Sequence, residues 1–173
     1  IMPASLSIKE LKKIKSEKLK DFKKDFYKIS EYIIVDSAAG LGNEALSALE
    51  LADELIIVTN PEMPAITDAL KVIKMAEQLN KKVKGVIVTK VRKNNFEVQP
   101  DTVKEMLETP ILGMVPDDPK MQEALSMKDA IVHTHPKSKA ARAYKEIAAH
   151  MIGVEYNSEK DRPSWFARIL GRE

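Results

Sequence analysis

The 173-residue sequence contains no cysteine. That absence removes disulfides, thiolate metal sites, iron–sulfur ligation and cysteine nucleophiles together, and it suits a reducing interior. No apolar run approaches the roughly 18 residues that a membrane-spanning helix needs, and the first residues lack the charged, apolar, small-residue order of a secretory signal. A charge excess of one sign is missing too. Lysine and arginine number 28 against 26 aspartate and glutamate, a formal charge of +2, far from the basic excess of an obligate nucleic-acid binder, so any basic function is local. Glycine is sparse, at six residues, and no G-x-x-x-x-G-K-[ST] stretch occurs, so no loop of that phosphate-cradling type can be read in the sequence.

What is present is an ordinary globular balance, 44% hydrophobic against 31% charged, in a chain long enough for one domain with a core. Apolar runs alternate with segments of helical period. The runs Tyr32 to Asp36, Leu55 to Thr59, Val83 to Thr89 and Pro110 to Val115 read as strands with apolar residues on both faces. Helices are expected near Glu44 to Ala52, Pro64 to Leu79, Gln99 to Leu107 and Pro119 to Ser126. Strands joined by single crossover helices run parallel, so the expected fold is α/β, a doubly wound, mostly parallel sheet with helices on both faces. Upstream, Ser7 to Glu10 has capping-box spacing, and a second helix from Ser16 places Leu19, Phe22, Phe26 and Ile29 on one face. The nine lysines between Lys9 and Lys28 are interleaved with Glu10, Glu17, Asp21 and Asp25 and read as a solvated helix face.

In such sheets ligands sit at the carboxyl ends of the strands, which directs attention to Asp36, to Asn60 through Pro64, to Thr89 through Val91, and to Pro116 through Pro119. Asp36 is the first polar residue after an apolar run. A carboxylate presented there can hold water on Mg²⁺, which takes few protein ligands, or it can be the N-cap of the next helix; the residues alone leave both open. Gly40 and Gly42 allow close backbone approach to an anion.

Several blocks taken in order carry more. IIVDSAAGL, ADELIIVTNPEMPAITDA, GVIVTK, PILGMVPDDPKMQEAL and PKSKAARAYKEIAAHMIG resemble, in order and spacing, the back two-thirds of the MinD/ParA family of ATPases, closest to the MinD branch and its archaeal members. The resemblance implies a P-loop NTPase-like fold with ATP and Mg²⁺ as cofactors. It gives Asp36 the role of the Walker B aspartate that holds the magnesium water shell, and Ser37 to Gly42, with Gly40, that of the γ-phosphate sensor, Ala38 standing where the family usually has proline. It places Asn60 and Glu62 beside the nucleotide and dimer interface, Thr89 and Lys90 near the adenine, and Pro116, Asp117 and Asp118 on the other side of that base. Threonine at 89 offers fewer hydrogen bonds than an amide, which weakens base selectivity.

The resemblance also implies an N-terminal strand and a lysine- and glycine-rich phosphate loop that these residues do not include. The expectation is a partial chain: residues 1–153 as the C-terminal two-thirds of a MinD-like ATPase domain, closed by a packing helix from Ala140 to Ile152 with Ala141, Tyr144, Ile147, Ala148 and Met151 on one side. On that reading the polypeptide alone binds ATP weakly or not at all. Residues 154–162 read as a linker, and residues 163–173 as an amphipathic helix with Trp165, Phe166, Ile169 and Leu170 on one arc and Arg168 and Arg172 beside it, the composition of a membrane-interface helix. One such tail binds marginally. Two on a dimer gain roughly 10² to 10⁴ through avidity, while a tail docked on its own domain is the alternative. His133 and His135, two apart on an expected extended segment, lack a third ligand nearby and read as structural, as does Arg142.

The leading functional expectation is therefore a membrane-associated switch ATPase involved in spatial positioning, such as division-site selection: a homodimer when ATP-bound, cytoplasmic and peripheral at the inner face of the cell membrane. Its partners are anionic lipid and an activating protein. The alternative is a ParA-like DNA-partition ATPase, supported only by the lysine-rich segment from Lys9 to Lys28. A third reading is a non-enzymatic partner whose phosphate loop comes from another chain.

Overall fold

The computed structural model describes residues 28, 30–37, 40, 42–92 and 94–156. The expected helix from Ser16, the lysine-rich face apart from Lys28, and the tail residues Trp165, Phe166, Arg168, Ile169 and Leu170 lie outside them. Contacts divide the chain into two compact units, one drawn from Ile1–Leu55 and Lys71–Lys84, the other from Ile56–Leu70 and Gly85–Glu173.

The described elements are α1 (Asn43–Leu51), β1 (Glu54–Thr59), α2 (Met63–Gln78), β2 (Lys82–Val91), α3 (Pro100–Leu107), β3 (Ile111–Pro116), α4 (Lys120–Ser126), α5 (Ile131–Thr134) and α6 (Lys139–Ile152). The strands form one sheet in the order β1-β2-β3, and β2 pairs with β3 in parallel. Each passes to the next through a helix, the connection a parallel neighbour requires. The α/β parallel architecture read from the sequence is present, and its strand and helix limits fall within one or two residues of those expected.

Local chemistry explains the limits. Pro100 opens α3, where its missing N–H is no loss, Asp101 lies in the first turn, and Val103 and Leu107 bury one face four residues apart. In α2 the buried residues Ile66, Ala69, Ile73 and Ala76 follow helical spacing, and Asn80, at φ 52°, ends the helix in the left-handed region that asparagine tolerates. Lys81 donates from Nζ to the carbonyls of Glu50 and Ala52 at 2.8 and 2.7 Å, satisfying acceptors at the end of α1.

In the second unit α6 lies on β3. A Cβ at Gly113 would come within 2.4 Å of Ile147 Cγ1, so only glycine permits this approach. Val115, Ala124, Ile131, Ala140, Ala141 and Ile147 form the core there, with Ile87, Tyr144 and Met151 packed against it. Ser138 caps α6 by accepting from Ala141 N–H at 3.1 Å, and Gly153, at φ 72°, closes it with Val154 N–H bonded to Ala149 O.

Four sequence expectations are corrected. Tyr32 to Asp36 is not a strand: the segment is irregular, and Ile34 is 94% exposed. Apolar strand composition is realised only when a neighbour completes the hydrogen-bond ladder, and none of β1, β2 and β3 pairs with it. Nor is β1 covered on both faces, because Ile57 and Thr59 are buried while Ile56 and Val58 are exposed. On α6 the buried residue is Ala149 and not Ala148, which faces solvent. His133 belongs to the short helix α5 and not to an extended segment. No helix among the described residues is long and apolar enough to cross a membrane.

Candidate functional site

β1, β2 and β3 deliver their last residues to one set of loops in the second unit. Register fixes what they present. Val88 pairs with Met114 and Val91 with Pro116, so β2 carries one extra residue just before its end. That irregularity contains Thr89 and Lys90, and Lys90 has φ 57°. A bulge re-aims side chains beside it. Thr89 Oγ1 reaches Asn60 Oδ1 at 3.0 Å and the carbonyl of Thr59 at 3.2 Å, joining the ends of β1 and β2.

Further bonds tie the loops together. Val98 N–H donates to Pro61 O at 3.0 Å, and Asp117 N–H to Val91 O at 2.9 Å. Arg92 donates from Nε to Asp117 Oδ2 at 2.7 Å, and Glu97 Oε1 accepts from Arg92 N–H at 2.7 Å. The hydrogen bond that Arg92 donates to Asp117, with the charge of that carboxylate, raises the Arg92 guanidinium above its ordinary value, so it stays protonated. Asn94 Oδ1 accepts from the N–H groups of Phe96 and Glu97 at 3.0 and 3.1 Å, which folds the loop into an Asx turn. Glu62 is exposed just before α2, where helix polarity favours a carboxylate, and its carbonyl accepts from Ile66 N–H.

The two aspartates after β3 part company. Asp117 faces Arg92. Asp118 accepts from Lys120 N–H at the start of α4 and from Ala140 N–H at the start of α6, at 3.0 and 3.1 Å. Its partial burial opposes ionisation, and the N–H groups of Ala140 and Lys120, the Ser138 hydroxyl and Lys139 N–H outweigh it, holding the carboxyl below the usual aspartate value. Asp118 thus fastens two helix N-termini. A cavity of about 280 Å³ beside it, lined by Lys120, His135, Pro136, Lys137 and Ser138, shares no lining residue with the Asn60 and Thr89 pair.

Asp36 and Gly40 belong to the first unit. Asp36 is exposed on the irregular segment, and Gly40 adopts φ 84°, where a Cβ would meet nothing within 4 Å, so the dihedral rather than space demands glycine. No group of three His, Cys, Asp or Glu able to hold a metal occurs among the described residues. The donor set is a single accessible carboxylate, which fits Mg²⁺ held mainly through water and substrate oxygens and does not fit a metal needing an all-protein cage. His133 Nδ1 lies 3.1 Å from Asp129 Oδ1 and His135 Nε2 lies 3.2 Å from Glu123 Oε2, so the two histidines face separate carboxylates.

Sequence reading missed Arg92, Glu97 and the capping role of Asp118. Ser138 ahead of a helical run was a usable signal for the last, since a cap at α6 calls for donors and acceptors nearby. Arg92 gave none, because its partner is set by the end of β3.

Comparison with known proteins adds to this geometry. A family profile described as ParA, NUBPL iron-transfer P-loop NTPase, matches residues 13–152. An uncharacterized ATP-binding protein of Methanocaldococcus jannaschii is 36% identical over 172 residues, 98% of this chain and 65% of that protein. The septum site-determining protein MinD of Neisseria meningitidis is 30% identical over 156 residues, 82% of this chain and 57% of that protein. The structure of the septum site-determining protein MinD of Pyrococcus horikoshii, complexed with Mg-ADP, superposes with a TM-score of 0.72 at 28% identity over 78% of this chain and 55% of that one. The chain therefore spans roughly three-fifths of the length of the relatives it matches.

Proposed function

The chain belongs to the ParA/MinD family of P-loop NTPases, and from that premise we propose that it supplies the base-binding and magnesium-holding part of a MinD-like, membrane-associated switch ATPase. The observation that carries this reading is the junction of Asn60, Thr89, Arg92 and Asp117 at the carboxyl ends of three parallel strands, where α/β sheets bind ligands. Relatives whose names include ATP binding, and one in complex with Mg-ADP, favour adenine nucleotide as the ligand.

In this reading Asn60 and Thr89 take one side of the base and Pro116 and Asp117 the other, with Glu62 and Lys90 at the rim. Asp118 contributes indirectly, by fixing the start of α4 and α6 behind the loop. Asp36 holds water on magnesium, and the left-handed Gly40 lets its segment change conformation as phosphate charge changes. Magnesium, when bound, neutralises phosphate charge. Phosphate-cradling N–H groups come from a loop outside these 173 residues. ATP draws two copies into a dimer, the Trp165 to Leu170 tails engage anionic lipid at the inner face of the cell membrane, and an activating protein stimulates hydrolysis and release. Iron transfer, which the family description mentions, is not proposed, because the sequence offers no thiolate.

Calorimetry with ATP and Mg²⁺ tests the half-site. These 173 residues alone should bind weakly or not at all, and micromolar magnesium-dependent binding contradicts the reading. Fused behind the front segment of the M. jannaschii relative, they should hydrolyse ATP, and Asp36→Asn should abolish it. A fusion that binds ATP without hydrolysing it removes the ATPase assignment.

A further inference from the structure

The cavity beside Asp118 takes no part in the nucleotide reading. Lys120, His135, Pro136, Lys137 and Ser138 line it, all in the second unit, yet the wall they present is apolar. Hydrogen bonding explains why. Lys120 Nζ is turned to Glu123, at 2.6 and 2.9 Å from its two oxygens, while His135 has Nε2 3.2 Å from Glu123 Oε2 and Nδ1 3.0 Å from Thr134 Oγ1. Ser138 Oγ is held by Ala141 N–H. Lysine stems, the imidazole ring and the ring of Pro136 are left to face the cavity, since long cationic side chains lay their methylenes on apolar surface and keep the charge in water.

Size and charge select the occupant. About 280 Å³ falls just below the roughly 300–1,000 Å³ of pockets that engulf a small molecule, and Lys120, Pro136 and Lys137 are exposed, so the cavity is open to water. It has room for one large side chain carried by something bigger. Around it, Glu123 is matched by Lys120, and Asp118 by the N–H groups at the starts of α4 and α6. Lys137 and Lys139 make no ion pair among the described residues, which leaves a positive rim over an apolar floor. We propose that this cavity is a docking site for an acidic peptide segment of a partner protein. One aromatic side chain of that segment packs against His135 and Pro136, whose flat rings suit it, and flanking carboxylates meet Lys137 and Lys139. Two aromatic stretches of the chain itself fit less well. Trp165 and Phe166 are flanked by Arg162 and Arg168, which the rim repels, and Tyr156, in the acidic stretch after α6, is already half-buried and engaged. The site uses no residue of the nucleotide reading except through Asp118, and it stands or falls independently.

The test uses the ¹⁵N-labelled 173-residue protein and three capped tripeptides, acetyl-Asp-Trp-Asp-amide, acetyl-Lys-Trp-Lys-amide and acetyl-Asp-Ala-Asp-amide. Each is titrated to millimolar concentration while the amide resonances of His135, Lys137 and Ser138 are followed. The Asp-Trp-Asp peptide should shift them at concentrations about tenfold lower than either of the others, one comparison reading the buried aromatic and the other the charge. Replacing both rim lysines, Lys137→Glu with Lys139→Glu, should abolish the preference for the acidic peptide. Acidic residues beside a helix start suit its dipole, so this variant should keep the parent's urea midpoint. Should it fail to fold, Lys137→Met keeps the stem and drops the charge, and it should narrow the gap between the two tryptophan peptides. Equal shifts from all three peptides, no shift at Lys137 and Ser138, or an acidic preference that survives these substitutions overturns the inference. Deleting residues 163–173 should leave the three resonances in place; their movement would make the tail the occupant and overturn it too. Loss of the peptide shifts as the protein is concentrated would make a second copy the occupant, with the same result.

Discussion

Arg92 reaches from the end of β2 to Asp117 beyond the end of β3, Nε to Oδ2 at 2.7 Å, and so carries the β2–β3 pairing, whose last register pair is Val91 and Pro116, on into the loops. Both side chains are substantially exposed, and water screens such pairs. Arg92→Met should therefore leave stability almost unchanged, read as at most a small shift in urea midpoint at constant slope. A midpoint shift as large as that of a core truncation would mean that the pair holds the fold and not merely the rim.

Asp118 should behave in the opposite way. Its carboxylate accepts from backbone at two helix starts, and replacing it with asparagine weakens charge-assisted bonds, at a cost of about 1–3 kcal/mol at neutral pH.

The same residue predicts an acid limb. Its folded value lies below the ordinary aspartate value, so its contribution is complete above that ordinary value and is lost as pH falls through the folded one. Denaturant unfolding of the parent protein should thus lose stability at acid pH, and Asp118→Asn should lose less over the same range. Identical acid limbs would remove Asp118 from the account.

The tail is tested with lipid. Vesicles containing anionic lipid should float the parent protein in the presence of ATP once the phosphate-loop segment is supplied, and Trp165→Glu, which puts a charge in place of an interfacial aromatic, should reduce flotation about tenfold or more. Equal flotation rules the tail out as an anchor. Retention by DNA with a steep salt dependence, in place of flotation, would favour the partition reading.

Much of the architecture was legible because it depends on local signals. Val83 to Thr89 and Pro110 to Val115 are apolar runs flanked by polar residues and turns, and they became β2 and β3. The segment of helical period from Gln99 to Leu107 became α3. Tyr32 to Asp36 carried the same composition and did not become a strand, because pairing is a property of two segments and composition belongs to one. For the same reason the sequence put Asn60, Thr89 and Asp117 at strand ends without revealing their partners. Thr89 meets Asn60 only because a bulge at Lys90 shifts the register, and Arg92 meets Asp117 only because β2 and β3 end side by side. The separation of roles between Asp117 and Asp118 was equally hidden, since adjacent aspartates look alike until two helix N-termini converge on one of them.

Gly113 and Ile147 share a volume that holds only one side chain. Across homologous sequences the two positions should therefore trade size, a larger residue at 113 appearing only where 147 has shrunk. A lineage that enlarged either position first would cross a less stable intermediate, so this contact sets an order in which the family can change.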